Sequence, residues 1–280
     1  MTKHLLIVAL LLLVHGQAHA QTCGVREPWA TQHYDAFFSR VLPCTGEFID
    51  DVWTRFNLDQ DEWQQFGVVE GGCNYNMPLG RTISALEIMA FAGTPNPHCD
   101  WESDLVLDWA YCFAGNAISE LTPVCDGGGK SATTYYAIQL DYRTELHKPF
   151  FYDADVPRRV ATLFHEARHA DGWCIHSGAC DAGQDACDRT FDDGCVGAGS
   201  SSGRGAYAWS VIYLQRYLRD SRPELFDQVI HERVRQSANV ILGRNFESDP
   251  CFRVTGIRGE MSMGVDLNGH TIQSCLRDPL

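Results

Sequence analysis

Asp155-Val156-Pro157-Arg158-Arg159-Val160-Ala161-Thr162-Leu163-Phe164-His165-Glu166-Ala167-Arg168-His169-Ala170-Asp171-Gly172 is the stretch on which the reading of this chain turns. It carries the start and stop signals of one helix. Asp155 suits an N-cap, Pro157 suits the first turn, and Gly172 suits the position just past the end. Val160, Leu163, Phe164 and Ala167 recur at helical spacing and predict a buried face. Within that helix, His165 and His169 are four residues apart, which puts them on one side about 5–6 Å from each other. Two imidazoles so placed converge on a single zinc ion at roughly 2.0–2.1 Å. Glu166 is rotated by about 100° from His165, so it stands beside the metal and accepts a proton from the water there. Zinc lowers the pKa of such a water from about 15.7 toward 7 and polarises a carbonyl. The competing reading is a surface helix whose two histidines and one glutamate are merely solvated.

Upstream of the helix, Thr133 to Glu145 alternates around Tyr136, Ile138, Leu140 and Tyr142 and predicts a strand. Gly127-Gly128-Gly129-Lys130-Ser131 precedes it, a loop tip or a soft boundary between two lobes. Before those glycines the chain reads as mostly helical, with helices predicted over Thr82–Ala92 and Ser103–Ile118. The aromatics Trp101, Trp109, Tyr111 and Phe113 are expected in a core rather than on a binding face. Downstream, Trp173 to Arg204 shows no periodicity and holds four cysteines, so a stapled loop is expected. Helices are predicted again over Gly205–Arg219 and Pro223–Leu242. The second opens on Ser221-Arg222-Pro223-Glu224, which has the form of a capping box. From Gly243 the tail is irregular. The expected fold class is α+β: helix-rich, one domain, with a small sheet beside the motif helix.

The first twenty residues read as a removable leader. Lys3 and His4 precede the apolar run Leu5–Val14, and Ala18-His19-Ala20 offers a cleavage site. The run is too short to span a bilayer, so no membrane anchor is expected. Cleavage after Ala20 leaves 260 of the 280 residues as one domain, 21–280. All twelve cysteines follow that point, none in a C-x-x-C pair, and their even number predicts up to six disulfides in an exported protein. Apolar residues make up 45% of the chain, enough for a real core. The formal net charge is −14, or −15 once Lys3 is removed. So acidic a surface argues against nucleic acid and anionic membranes as partners. Oligomeric state is not legible.

The string His165-Glu166-Ala167-Arg168-His169 resembles the zincin metallopeptidases. The resemblance implies a cleft with the edge strand of a sheet beside the motif helix, and Thr133–Glu145 is the segment to compare with it. The motif and its exit, through Ala170-Asp171-Gly172, also resemble a set of exported bacterial proteins of uncertain function.

A catalytic zinc needs a third protein ligand and an open position. In Gly172-Trp173-Cys174-Ile175-His176 the third histidine, His176, follows the glycine by four residues, where the metzincin extension has three. The runner-up is an aspartate of the stapled loop, as in the aspzincins. Asp181, Asp185, Asp188, Asp192 and Asp193 qualify, and Asp188 beside Cys187 is the most anchored. Clustered carboxylates also suit calcium. A downstream glutamate is less favoured, since Glu224 reads as part of a cap. Met261 and Met263 resemble a methionine turn only loosely and suit plain core packing. Tyr207 is a candidate oxyanion donor, or simply a buried helical tyrosine. Asp171 either fixes a histidine tautomer or is a solvated carboxylate at the helix end. Cys23 reads as a disulfide half.

Two functions are thereby expected. The first is an exported zinc peptidase acting on a peptide or protein substrate. The second is a non-catalytic, disulfide-rich binding protein with a structural metal or none. Retention of Glu166, which is not a ligand, favours the first.

Overall fold

A computed structural model of the chain describes residues 32–95, 99, 105–125, 129–137, 141–171 and 206–245. The leader, Cys23, Trp101, the loop from Gly172 to residue 205 and the tail from residue 246 lie outside the described residues. So do His176, all five candidate aspartates, Met261 and Met263.

The described residues form a helix-rich α+β fold. Helices α1 (Gln32–Val41), α2 (Gly46–Arg55), α3 (Gln60–Trp63), α4 (Pro78–Phe91) and α5 (Val106–Ala117) come first. Strands β1 (Glu120–Pro123), β2 (Ala132–Ala137) and β3 (Asp141–Leu146) follow. Then come α6 (Lys148–Tyr152), α7 (Val156–Ala170), α8 (Ala206–Asp220) and α9 (Gln228–Asn245). The sheet has the order β1-β3-β2. β3 is its middle strand, parallel to β1 and antiparallel to β2, with Thr134 opposite Thr144. The segment Thr133–Glu145 is therefore not one strand but a hairpin. Of the four alternating residues, only Tyr136 and Tyr142 lie in the strands; Ile138 and Leu140 fall between them, outside the described residues, so the period does not mark the break.

α4 is buried on every side, from Pro78 to Ala90, which makes it the central helix of the bundle. It starts four residues before the predicted Thr82, because Pro78 pre-sets the first turn. One hydrophobic core runs from Phe38 to Ala238 and takes residues from both sides of the glycine-rich stretch. Trp109, Phe113, Phe164, Trp209 and Tyr213 form its aromatic part, with Phe113 and Trp209 rings 4.8 Å apart and Phe164 and Trp209 rings 5.1 Å apart. Trp109 and Tyr111 are buried, as expected of a core stripe. Among the described residues, no helix is long and apolar enough to cross a membrane.

α7 is fixed at both ends and through its middle. The Asp155 carboxylate accepts from the Arg158 amide at 3.0 Å, and Asp171 closes the helix as C-cap. Midway along the first half, Arg159 is fully buried and forms a bidentate pair with Asp35 of α1, at 2.7 and 3.1 Å. It also donates to the Phe150 carbonyl at 3.1 Å. Arg81 of α4 lies against the same carboxylate at 3.8 Å and donates to the carbonyls of Tyr75 and Phe151. Burial and the Arg159 charge press the Arg81 guanidinium down to about 9, against the pull of Asp35. A buried carboxylate thus joins the first helix, the central helix and the motif helix.

α9 begins later than predicted. Pro223–Leu225 is a 3₁₀ turn without a side-chain cap, and the helix starts at Gln228. Asp227 is the cap, accepting from the amides of Val229 and Ile230 at 2.9 and 3.0 Å. Disulfides join Cys44 to Cys73 and Cys99 to Cys112, and Cys125 is disulfide-bonded as well.

Candidate metal centre

Three elements frame the motif. α7 supplies His165, Glu166 and His169; β2 runs beside it; the first turn of α8 closes over it. The edge strand is tied to the helix where the Thr134 hydroxyl meets the Glu166 carbonyl at 3.4 Å. The same hydroxyl pairs with Thr144 Oγ1 at 2.8 Å. On the other side, Ser210 Oγ donates to the Ala161 carbonyl at 3.0 Å and so pins α8 to α7.

Between them lies a cleft of about 660 Å³. Its floor holds His165, Glu166, His169 and Tyr207, and its walls include Thr133 and Thr134 of β2. The predicted catalytic base and two predicted ligands therefore share one cavity. His165 Nε2 and His169 Nε2 face each other at 3.0 Å, with the rings at 78°. Two nitrogens bound to one tetrahedral zinc stand roughly 3.3 Å apart. The observed convergence fits a zinc ion held between them.

Both motif imidazoles are held toward the neutral form. Burial holds the His165 ring down to about 3, helped by the His169 charge and opposed by the hydrogen bond that the ring donates to the Ala206 carbonyl. Burial, then the Arg168 guanidinium, holds His169 down to about 4. Both rings are neutral at ordinary pH, which a metal ligand must be. Tyr207 packs its ring on His165, with centroids 4.5 Å apart. That contact orients the imidazole, and places the tyrosine in the cleft beside it.

Asp171 is turned to other work. It accepts from Arg168 at 2.7 Å, and Arg168 also lies over the Trp209 ring at 4.6 Å. Asp171 stands at the helix end, paired with Arg168 rather than merely solvated. Among the described residues no group of three metal-ligating side chains forms; both proposed third ligands, His176 and Asp188, lie outside them. Thr134, Ser210 and the basic residues of the cleft were not singled out by sequence. Only Arg158 had a usable signal, since it precedes His165 by seven residues and so shares its helix face.

Comparison of the chain with protein families, with curated proteins and with solved structures finds no match.

Proposed function

We propose that this chain is an exported zinc-dependent peptidase. The observation that carries the reading is the 3.0 Å convergence of His165 and His169 in a cleft that Glu166 also lines. When bound, zinc supplies Lewis acidity toward the scissile carbonyl and acidifies water. His165 and His169 would hold the metal, with His176 or Asp188 completing the set. Glu166 takes the proton from the attacking water and returns it to the leaving amine. Tyr207 orients His165 and offers its hydroxyl to the developing oxyanion.

The sheet supports a peptide substrate. Among the described residues β2 is an edge strand, paired to β3 alone, and it lines the cleft. An extended peptide binds such an edge by main-chain hydrogen bonds. Disulfides fit an oxidising compartment, and the leader-like start fits export to it.

The test is hydrolysis of a fluorogenic peptide library by the oxidised, zinc-loaded protein. Activity that a chelator removes, zinc restores and Glu166→Gln abolishes supports the reading. A folded, zinc-loaded protein that cleaves nothing indicates the non-catalytic binding protein instead.

A further inference from the structure

The cleft has one end unlike the rest of this acidic protein. Lys130, Arg158 and Arg233 line it, against the two carboxylates of Asp155 and Glu166. Asp155 is spent within the fold, capping α7 and pairing with Arg233 at 3.4 Å. Lys130 and Arg158 are exposed, and their side chains make no ion pair among the described residues. In a chain of net charge −14, the cleft lining carries a cationic excess.

These residues gather at the N-terminal end of α7. The Ser131 carbonyl, next to Lys130, accepts from the His147 amide at 2.9 Å. Three residues on, the Phe150 carbonyl accepts from Arg159, the neighbour of Arg158. The start of β2 and the start of α7 therefore lie together, and Thr134 and Glu166 meet further along both elements. From Arg158 to His165 is seven residues, two helical turns, or about 10.5 Å along the axis. An extended peptide advances about 3.3 Å per residue, so that distance spans about three residues.

We infer that this basic end is a specificity site for a carboxylate of the substrate, about three residues from the bond at His165 and His169. Arg158 is the principal contact, since a guanidinium grips a carboxylate with two parallel hydrogen bonds, and Lys130 adds a second charge. The carboxylate comes from an Asp or Glu side chain or from a free peptide C-terminus. The inference rests on the peptidase reading for the bond cleaved, but not for the binding.

The test therefore measures binding and cleavage separately. Zinc-loaded Glu166→Gln is titrated with fluorescent peptides matched in all but one position, Glu against Gln. Each is made with a free and with an amidated C-terminus. The expected result is about tenfold tighter binding of a carboxylate-bearing peptide. That preference is lost in Lys130→Ala/Arg158→Ala and reduced in Arg158→Lys, which keeps the charge but not the paired hydrogen bonds. Loss on amidation alone assigns the peptide terminus; dependence on Glu alone assigns the side chain. Equal binding of acidic and neutral peptides, no binding of either, or a preference that survives the double variant overturns the inference. If wild type cleaves no peptide yet the carboxylate preference stands, the hydrolase reading fails and the carboxylate site holds.

Discussion

The Thr134 hydroxyl reaches the backbone carbonyl of Glu166 at 3.4 Å, joining the sheet's edge to the turn of helix that carries His165, Glu166 and His169. Both elements line the cleft. Thr134→Val removes the hydroxyl from both Glu166 and Thr144. The expected loss is about 1 kcal/mol of stability, read by denaturant unfolding, with zinc content unchanged.

Asp35 is buried between two guanidiniums, Arg159 and Arg81. Its replacement by Asn removes the buried carboxylate that both guanidiniums face. Stability should fall by about 3–5 kcal/mol, measured by chemical denaturation with disulfides intact. A change under 1 kcal/mol would show that the pair does not tie α1 to the motif helix.

Glu87 lies in the fully buried α4 and accepts from the Cys44 amide at 2.6 Å. Burial lifts its carboxyl from 4.5 to about 7, and that hydrogen bond opposes the rise. A raised carboxyl pKa means that the fold prefers the neutral form. The associated stability is complete below the unfolded pKa and is lost as pH rises through 7. Between about pH 4.5 and 7 the wild type should therefore lose stability relative to Glu87→Gln. At pH 8 the variant should be more stable by about 2–3 kcal/mol. Parallel pH profiles would contradict this.

Tyr207 touches the site through its ring, 4.5 Å from His165. Tyr207→Ala should weaken zinc affinity about tenfold, as loss of a residue orienting a ligand does. Tyr207→Phe should keep the affinity. If the hydroxyl also serves the oxyanion, Tyr207→Phe lowers kcat by about 10²-fold with little change in KM.

The motif helix was the most legible part of the sequence, because cap, apolar stripe and histidine spacing all specify one element. Its Asp155 cap and its buried Val160, Leu163, Phe164 and Ala167 are as read. The sheet was less legible. The alternation read from Tyr136 to Tyr142 runs across the gap between β2 and β3, and β1 is only four residues long, too short for a period to register. The cap of α9 was misplaced because Ser221-Arg222-Pro223-Glu224 has the right letters, while the amides that need a partner belong to Val229 and Ile230. The Asp35–Arg159 pair spans 124 residues, and no local pattern announces a contact of that range. The basic end of the cleft was hidden for the same reason: Lys130, Arg158 and Arg233 come from three distant segments. The third ligand stays between His176 and Asp188.

Zinc per chain is the most direct measurement of the central claim. The oxidised protein is equilibrated with excess zinc, desalted and assayed by elemental mass spectrometry, beside His165→Ala, His169→Ala and Glu166→Gln. One zinc per chain in the wild type and in Glu166→Gln, lost from both histidine variants, is the predicted result. His176→Ala and Asp188→Ala, run in parallel, then name the third ligand. A folded wild type that remains metal-free, or histidine variants that keep their zinc, would contradict a metal centre at His165 and His169.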